Sequence, residues 1–593
     1  MRRLLHTHRL STPGVYGVPG LHSPASFPLL ASSAMQHVSA LIADLQLATP
    51  SEATVETLDD ISDAVCSVVD AAELCRNTHP SVEWQAAADG TVRTLHSFVA
   101  QLNAHSGLYA PLCAAQASAS FSAEGARVAA SLRTEFERGG IHLAADKREA
   151  LALAQAQAVD AGLAFSRSLG RAPLRRLLCA RADAAQLLGF DSYAALATEP
   201  LLARTPAAPL AFCAQLAAGL APRARAELAA LEAHRATASD SQQQLLVRAR
   251  AQLCTAADAR AASKFFTVHS VIAGLTLLCE RLFGVLLRDV PLSPGEAWAP
   301  GVRKLEARHS VEGPLGWVYL DLRSRPRKQA GAAHYVLRAG RARGGVLPRV
   351  ALVACLGEGD SCSLPHSAVE VLHHELGHAL HSLLSRTHYQ HLSGTRGSAD
   401  VVEAPSTLLE RLAWEPGAVG AWARAADGQP LPPKLLGRLS AARRAFAATD
   451  ALQQVVHSAT DLALHSCRSG QADEAFVQRC AVEAVERHTP WPPEPPGGHL
   501  LRLGHLVGYG SVYYSYLYGR ALSGAAFRTL GLGTQPLGRA AGERLWAHLL
   551  RPGGSAEAGE AFGALLGEGA LVTLGAGRAP CPQAALQDIL GHA

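Results

Sequence analysis

The stretch VLHHELGHALHSLL, residues 371–384, contains the pattern HExxH at His374, Glu375 and His378. On a helix, residues four apart lie one above the other, so the two histidines offer imidazole nitrogens to one metal ion. Glu375 then points to the water molecule on that metal. The pattern predicts a metal-binding helix and is a signature of metallopeptidases. Two protein ligands leave such a site incomplete, so a third ligand is needed nearby.

The third ligand is expected downstream of this helix. One common layout, HExxHxxGxxH, is excluded because His381 occupies the glycine position and Leu384 the last histidine position. The other layout takes a carboxylate from the next helix. The segment SGTRGSADVVEAPSTLLERLAWE, residues 393–415, supplies Asp400, Glu403 and Glu410 after a polar loop that lets the chain turn back. We expect Glu403 to be the ligand.

A structural alternative exists for the same carboxylates. Asp400 followed by Glu403 is also typical of a helix N-cap and its reciprocal partner, with Pro405 tolerated in the first turn. The ligand interpretation is favoured because an HExxH helix without a nearby carboxylate lacks its third ligand.

A second polar group follows in HLVGYGSVYYSYLYGRAL, residues 505–522. Spacings of four, four and three place one histidine and three tyrosines on one face of a continuous helix, with two further tyrosines opposite. The first face holds His505, Tyr509, Tyr513 and Tyr516, and the other holds Tyr514 and Tyr518. Glycines at 508 and 510 favour a flexible loop that enters a helix near residue 511. A tyrosine stripe is also typical of a core whose hydroxyls reach its edge.

Residues 373–410 and 505–522 resemble the thimet-oligopeptidase-like metallopeptidases, and within that family the members that process precursors imported into organelles. The strings GTR at 394–396 and HLVGYG at 505–510 carry the closer likeness. Further likeness lies in GVYGVPGLHSPASF from residue 14, FERGGIHL from 136, LGFDSYAALA from 188 and GWVYLDLRSR from 316. The resemblance therefore covers nearly the whole chain.

The resemblance implies a role for each candidate site residue. The carboxylate of the family's VEAPS-type segment falls on Glu403 and is the third ligand of one Zn²⁺ ion per chain, beside the two histidines. Matching tyrosines and a histidine of the family line a channel and donate hydrogen bonds. We expect Tyr516 and Tyr509 to stabilise the oxyanion as catalytic residues with Glu375, and His505 and Tyr513 to bind substrate.

The resemblance also implies a function, with two alternatives. The expected activity is a zinc metalloendopeptidase that removes an N-terminal octapeptide from imported proteins after the first presequence cut. A general oligopeptidase that degrades short peptides or spent presequences is the first alternative. A catalytically inactive, zinc-containing peptide-binding protein is the second, and the intact Glu375 argues against it. The expected partner is a peptide or unfolded precursor protein, bound by a monomer.

Two departures from the family pattern stand out. His373 lies where the family has a large apolar residue, so it is either a spare donor or a polar residue on the back of the helix. The linking segments between residues 200 and 300 are shorter than expected.

Arg396, in the loop between the ligand segments, is equally a substrate-recognising residue or a solvated loop arginine.

Composition excludes several classes of protein. With 48% hydrophobic and 18% charged residues the chain is an ordinary globular protein. A net charge of +4, without long basic runs, argues against a nucleic-acid partner. The longest apolar stretch, residues 271–279, is shorter than the roughly 20 residues of a membrane span. The 12 scattered cysteines, with no CxxC pair, predict free thiols.

The amino terminus has the composition of an organelle-targeting segment. It carries arginines, serine and threonine, and no acidic residue precedes Asp44. Residues 1–13 are the expected targeting segment, directing the protein to the mitochondrial matrix or, alternatively, the chloroplast stroma.

Periodicity predicts the fold class. Residues 36–290 carry helical patterns, residues 316–356 carry short β-rich runs, and helical patterns return after residue 367. We therefore expect a mainly α, two-lobed metallopeptidase with a deep channel and a small β-sheet beside the zinc helix. The expected division is an N-terminal helical region at 14–200 and a catalytic domain at 201–593.

Overall fold

The fold is that of a computed structural model, which describes residues 13–118, 120–235, 242–357, 359, 361–492 and 503–591. Most of the predicted targeting segment, residues 1–12, lies outside the described residues.

The first half is built from helices. In chain order they are α1 Ser26–Leu47, α2 Glu52–Thr78, α3 Val82–Asn103, α4 Ser106–Ser118, α5 Ala123–Arg138, α6 Ala145–Ser168, α7 Arg171–Leu187, α8 Tyr193–Thr198, α9 Ala207–Glu232, α10 Gln242–Leu253, α11 Ala256–Ser263 and α12 Val268–Phe283. At the start of several of these helices, a side chain accepts a backbone N–H of the first turn. Ser81 accepts the backbone N–H of Trp84 at the start of α3, for example.

A five-stranded sheet follows directly. Its strands are β1 Val285–Val290, β2 Arg303–His309, β3 Gly313–Asp321, β4 Ala332–Arg338 and β5 Arg349–Ala354, in the order β1-β2-β3-β5-β4. Only the pair β3 and β5 is parallel, with Tyr319 opposite Ala351. The register of β4 on β5 sets His334 opposite Leu352. Strand β4 is thus an edge of the sheet, and α2 and α13 pack beside it.

The remainder returns to helices, with one small hairpin. The helices are α13 His366–Leu384, α14 Glu403–Leu412, α15 Pro416–Trp422, α16 Pro433–Arg444, α17 Ala447–His465, α18 Glu474–His488, α19 His505–Gly508, α20 Ser515–Thr529, α21 Arg539–Leu545, α22 Ala558–Leu566 and α23 Pro582–Leu590. The hairpin pairs β6 Leu571–Leu574 with β7 Gly577–Pro580.

Two large apolar clusters organise the packing. The larger joins one face of the five-stranded sheet to α12, α13, α14 and α21. The other gathers α1 to α5 around a second core, which also contains Tyr389 and Leu392 from the segment after α13. The helix with the HExxH pattern therefore lies at the centre of the larger cluster, where its ends and its rotation are fixed by packing.

The predicted fold class is confirmed: the chain is mainly helical, with a small sheet immediately before α13. The three predicted β-rich runs are β3, β4 and β5. The prediction was wrong at residues 285–290, which form β1 instead of continuing the helical half, and it missed β2 and the β6–β7 hairpin. The two-lobed channel and the boundary at residue 200 stay predictions.

The cysteines agree with the prediction of free thiols. All 12 cysteines are free. Among the described residues, none of the helices is both long and apolar enough to cross a bilayer.

Gly377 marks a close approach between α13 and α14. A Cβ atom at Gly377 would lie 2.4 Å from the Cα of Ser406, so a side chain larger than hydrogen does not fit there. Because Ser406 stands three residues after Glu403, this contact sets the distance between the HExxH helix and the predicted third ligand.

We expect Gly377→Ala to destabilise the protein by about 1–3 kcal/mol, because the helices must separate to admit the methyl group. Thermal or urea unfolding measures the change. Gly437→Ala on α16 is the matched control, since nothing lies within 4 Å of its added methyl group. The control is expected to keep or slightly raise stability, because alanine is the better helix former. Equal effects of the two substitutions would contradict the close packing.

Candidate metal centre and active site

Two neighbouring helices bring the three predicted ligands together. His374 and His378 lie one turn apart on α13, with ring centroids 5.0 Å apart. Glu403 is the first residue of α14. Its Oε2 lies 3.3 Å from His374 Nε2 and 3.4 Å from His378 Nε2. One ligand atom of each residue lies within 4.8 Å of the others.

The donor atoms fit a bound metal ion. A tetrahedral ion with bonds of about 2.05 Å separates neighbouring ligand atoms by about 3.3 Å. The two measured distances between Glu403 and the histidines match that separation. Two imidazole nitrogens and one carboxylate oxygen form a three-ligand set of the kind that leaves a further position for water or substrate.

The contacts between the carboxylate and the imidazoles shift the pKa values of Glu403 and His374. Burial raises the pKa of Glu403, but hydrogen bonds from His374 and His378 outweigh it and hold that pKa well below its usual range. Burial lowers the pKa of His374, and hydrogen bonds to Glu403 and Glu410 raise it to about 10. A divalent cation would replace these protons, because it binds the neutral imidazoles and the carboxylate.

Glu410 occupies the next layer around His374. Its Oε2 lies 3.3 Å from His374 Nδ1, and its Oε1 accepts a hydrogen bond from Arg443 Nη2 at 3.1 Å. Arg443 also donates to Glu370. With Nδ1 donating to Glu410, the lone pair of His374 Nε2 is directed to the centre. In the sequence, Glu403 and Glu410 are seven residues apart, about two turns of one helix. This spacing indicates that both carboxylates lie on the same face of the helix.

Glu375 lies beside the centre, against strand β4. It is buried, and the backbone N–H of His334 on that strand is among the groups that lower its pKa. Burial raises the pKa of Glu375, while the neighbouring His378 and His374 lower it, and the net result is a raised pKa. A carboxylate with a raised pKa next to a metal centre is suited to accept and return a proton.

The capping alternative for Asp400 is wrong. Helix α14 begins without a side-chain cap, after Val402. Asp400 instead reaches across the molecule to accept the backbone N–H groups of Leu202 at 3.3 Å and Ala203 at 2.9 Å. The hydroxyl of Tyr514 donates to the same carboxylate at 3.2 Å. This buried contact ties the start of α14 to the chain after α8.

The predicted tyrosine and histidine face comes together at the centre. The ring of His505 lies 6.2 Å from Tyr509, 5.4 Å from Tyr513 and 5.8 Å from Tyr516, centroid to centroid. The ring of Tyr509 lies 5.7 Å from that of Tyr516, and burial together with the nearby charge of Glu403 raises the pKa of the Tyr509 hydroxyl. The hydroxyl of Tyr513 donates to Gln454 at 3.1 Å.

The local backbone differs from both versions predicted for this segment. Residues 505–508 form the short helix α19, and α20 begins only at Ser515. Between them Ser511 has a φ of 66°, in the left-handed region. The predicted helix start near residue 511 is therefore four residues too early. Tyr514 and Tyr518 are fully buried on the opposite side, as the spacing predicts.

Two residues whose roles the sequence left open, His373 and Arg396, have structural explanations. His373 is buried, its Nδ1 lies 2.8 Å from the carbonyl of Val369, and its ring stacks on Trp422. It therefore replaces an apolar residue within the core. Arg396 bonds to Gln390 and lies 3.3 Å from Asp70 on α2. These contacts make Arg396 an anchor of the loop between the ligands, and they do not support the substrate-recognition alternative.

The sequence is similar to known peptidases over most of its length. The sequence model of peptidase family M3 matches residues 147–572. The mitochondrial intermediate peptidase of Arabidopsis thaliana is 29% identical, with 97% of this chain and 95% of that protein covered. The human protein of the same name is 28% identical, with 92% and 86% covered.

Solved structures share the fold at low sequence identity. PZ peptidase A has a TM-score of 0.59 at 13% identity, with 94% of this chain and 96% of that chain covered. An M32 carboxypeptidase from Deinococcus radiodurans has a TM-score of 0.56 at 15% identity, with 94% and 100% covered.

We expect substitutions of the two carboxylates on α14 to weaken metal binding to different degrees. Glu403→Ala removes a ligand and should abolish stoichiometric retention. Glu410→Gln removes only the charge behind His374 and should lower affinity about 10- to 100-fold. Competition with a chelator, using zinc as the probe, measures both. Glu415→Gln, just after α14, is the control. Undiminished zinc affinity in Glu403→Ala would assign the third ligand elsewhere.

Proposed function

Because the chain belongs to peptidase family M3, we propose that it is a zinc metalloendopeptidase that processes precursor proteins in the mitochondrial matrix. The observation that carries the proposal is the convergence of His374, His378 and Glu403 on one point. Glu375 and Tyr509 border that point. This arrangement combines a metal site, a base and a hydroxyl donor, which together suffice for peptide hydrolysis.

Zinc is the proposed metal. Two imidazoles and one carboxylate are a ligand set of zinc hydrolases, and one ion per chain would be held by His374, His378 and Glu403. When bound, the metal supplies a Lewis acid that lowers the pKa of water and polarises the substrate carbonyl.

Glu375 is the proposed general base. Its carboxylate would accept the proton of the attacking water and pass it to the nitrogen of the departing amine. The nearby backbone N–H of His334 favours the charged form of this carboxylate.

Tyr516 and Tyr509 are the proposed oxyanion donors. Burial, with the nearby charge of Glu403, raises the pKa of the Tyr509 hydroxyl, so it stays protonated and able to donate. The same holds for Tyr516, whose pKa burial raises strongly. Donors of this kind act on charge that develops only in the transition state. His505 and Tyr513, behind them, are proposed to contact the substrate.

The edge strand β4 supports binding of an extended peptide. It ends the sheet on the side where Glu375 meets the backbone of His334. An unpaired edge offers backbone hydrogen bonds to an added strand, with little demand on side-chain identity. A peptide or an unfolded precursor is therefore the proposed partner, bound by a monomer.

The processing role is drawn from the relatives and from the residues that resemble them. The relatives that cover nearly the whole chain are called mitochondrial intermediate peptidases. The acid-free amino terminus agrees with import into an organelle. Removal of an N-terminal octapeptide after a first presequence cut is the specific reaction that we propose. The chloroplast stroma is the alternative location, and general degradation of short peptides is the alternative activity.

Glu375→Gln is expected to lower kcat by several orders of magnitude while the zinc content and the fold are kept. Glutamine has nearly the same shape but does not take up and return a proton. Steady-state hydrolysis of a quenched fluorescent peptide, with zinc analysis of the same sample, measures this. Activity within about tenfold of wild type would remove Glu375 from the mechanism.

Tyr516→Phe and Tyr509→Phe are expected to lower kcat by about 100-fold each, with smaller changes in KM, because an oxyanion donor acts in the transition state. Tyr518→Phe is the matched control, since that ring is buried on the opposite side of the segment. Wild-type kcat in both test variants would assign these tyrosines to the core.

Substrate choice separates the processing peptidase from the general oligopeptidase. The enzyme is given a precursor that retains its octapeptide, beside unrelated peptides of about 8–17 residues, and mass spectrometry identifies the products. A single cut eight residues from the precursor's amino terminus is the expected result. Broad cleavage of the mixture with an intact precursor would favour the oligopeptidase. No cleavage by zinc-loaded protein would favour the inactive peptide-binding alternative.

A further inference from the structure

The loop that carries Tyr509, one of the two proposed oxyanion donors, is bound by three buried or half-buried side chains. Asp461 and His465 lie on α17, and Arg181 lies on α7. None of them belongs to the metal centre. We call these three residues the clamp.

Asp461 binds the loop on the C-terminal side of Tyr509. Its Oδ1 accepts the backbone N–H of Ser511 at 2.9 Å, and its Oδ2 accepts that of Tyr513 at 3.1 Å. The carboxylate is completely buried. Ser511 has a left-handed φ of 66°, which is unfavourable for a residue with a side chain. The carboxylate thus stabilises the turn that directs Tyr509 toward Glu403.

Arg181 binds the loop on the other side of Tyr509. Its guanidinium donates to the backbone carbonyl of Leu506 and to that of Val507, each at 2.6 Å. The guanidinium also lies over the ring of Tyr193, 4.8 Å from the centroid. These bonds hold α19, which carries His505.

His465 joins the two halves of the clamp. Its Nδ1 hydrogen-bonds to the backbone carbonyl of Asp461 at 2.9 Å and lies 2.9 Å from Asp461 Oδ1, and its Nε2 lies 2.8 Å from Arg181 Nη1. A neutral ring that donates from Nδ1 and accepts at Nε2 satisfies these contacts. Gly510 makes room for this link, because a Cβ there would lie 2.3 Å from Arg181 Nη1 and 2.8 Å from His465 Nε2.

We propose that Asp461, His465 and Arg181 are positioning residues that fix the loop at 505–513, and with it the hydroxyl of Tyr509, relative to the metal centre. The clamp contacts the backbone at 506, 507, 511 and 513, on both sides of Tyr509. A Cβ added at Gly508, between these anchors, would meet no atom within 4 Å. The clamp therefore fixes the backbone on both sides of Tyr509, in addition to the ring contacts of Tyr509 with His505 and Tyr516. This inference rests on the proposed function, in which that hydroxyl meets the oxyanion.

Arg181→Lys is the first test, because one ammonium group does not replace a planar fork that reaches two carbonyls and an imidazole. Asp461→Asn is the second variant, and it keeps the shape of the carboxylate. Arg175→Lys is the control: Arg175 lies on the same helix and donates to the carbonyl of Ala472, away from the loop. We expect the two test variants to lose about 10- to 100-fold in kcat at unchanged zinc content, because small misplacement of a catalytic group is costly.

Two readouts separate positioning from a general loss of structure. The first is hydrogen–deuterium exchange of the amides at 505–513 in zinc-free protein, which should quicken in both test variants and not in the control. The second is coupling. In a Tyr509→Phe background, Arg181→Lys should cost less than about twofold in kcat, because the hydroxyl to be positioned is gone.

The outcomes are distinct. Unchanged exchange at 505–513, or an equal fall of kcat with and without the Tyr509 hydroxyl, would overturn the positioning role. Wild-type kcat in Tyr509→Phe would refute both the role of Tyr509 as an oxyanion donor and the catalytic importance of its position. Faster exchange in the clamp variants would then show that the clamp orders the loop without a catalytic effect. An inactive wild-type enzyme with normal zinc content would refute the proposed function alone.

Discussion

The Glu403 carboxylate lies between two imidazoles, and the rest of the site depends on that contact. Three ionisable groups in a buried position are costly unless each has a partner. Here each has one, since Glu403 faces both histidines and Glu410 faces the far nitrogen of His374. The arrangement requires α13 and α14 to approach closely, which the glycine at 377 permits. A divalent metal at this point would complete a coordination shell that the fold has already assembled.

Buried carboxylates also anchor the segments around the centre. Asp400 fastens the start of α14 to the backbone at 202 and 203, and Asp461 fastens the loop before α20. Asp70 meets Arg396 in the loop between the ligand helices, and burial raises the pKa of Asp70 to about 6. Irregular segments bury few apolar side chains, so directed hydrogen bonds to their backbone replace the packing that fixes helices.

The sequence predicted which side chains come together at the site better than it predicted the local backbone. His374, His378 and Glu403 could be predicted because helical spacing and a nearby acidic segment constrain them strongly. The two faces of the tyrosine segment were also predictable, although α20 begins later than expected. Strands β1 and β2 were missed because VLLRDV and RKLEARH contain charged residues and lack clear alternation. The distant partners of Asp400, Asp461 and Arg396 were not predictable, since these contacts follow from tertiary packing alone.

The proposed metal ligands and Tyr509 are held in place by different kinds of contact. The ligands stand on helices in the largest apolar cluster, so moving them requires the core to repack. Tyr509 stands on a loop with an unfavourable φ at Ser511, held through a few polar contacts to α7 and α17. Opening that loop breaks hydrogen bonds and disturbs a smaller apolar cluster that contains Leu506 and Tyr513, but it leaves the largest cluster intact, so it costs less than moving a ligand. In the proposed mechanism, a substrate that reaches the centre displaces the tyrosine face while the proposed metal ligands stay in place. The clamp would then return Tyr509 to the same position in every turnover.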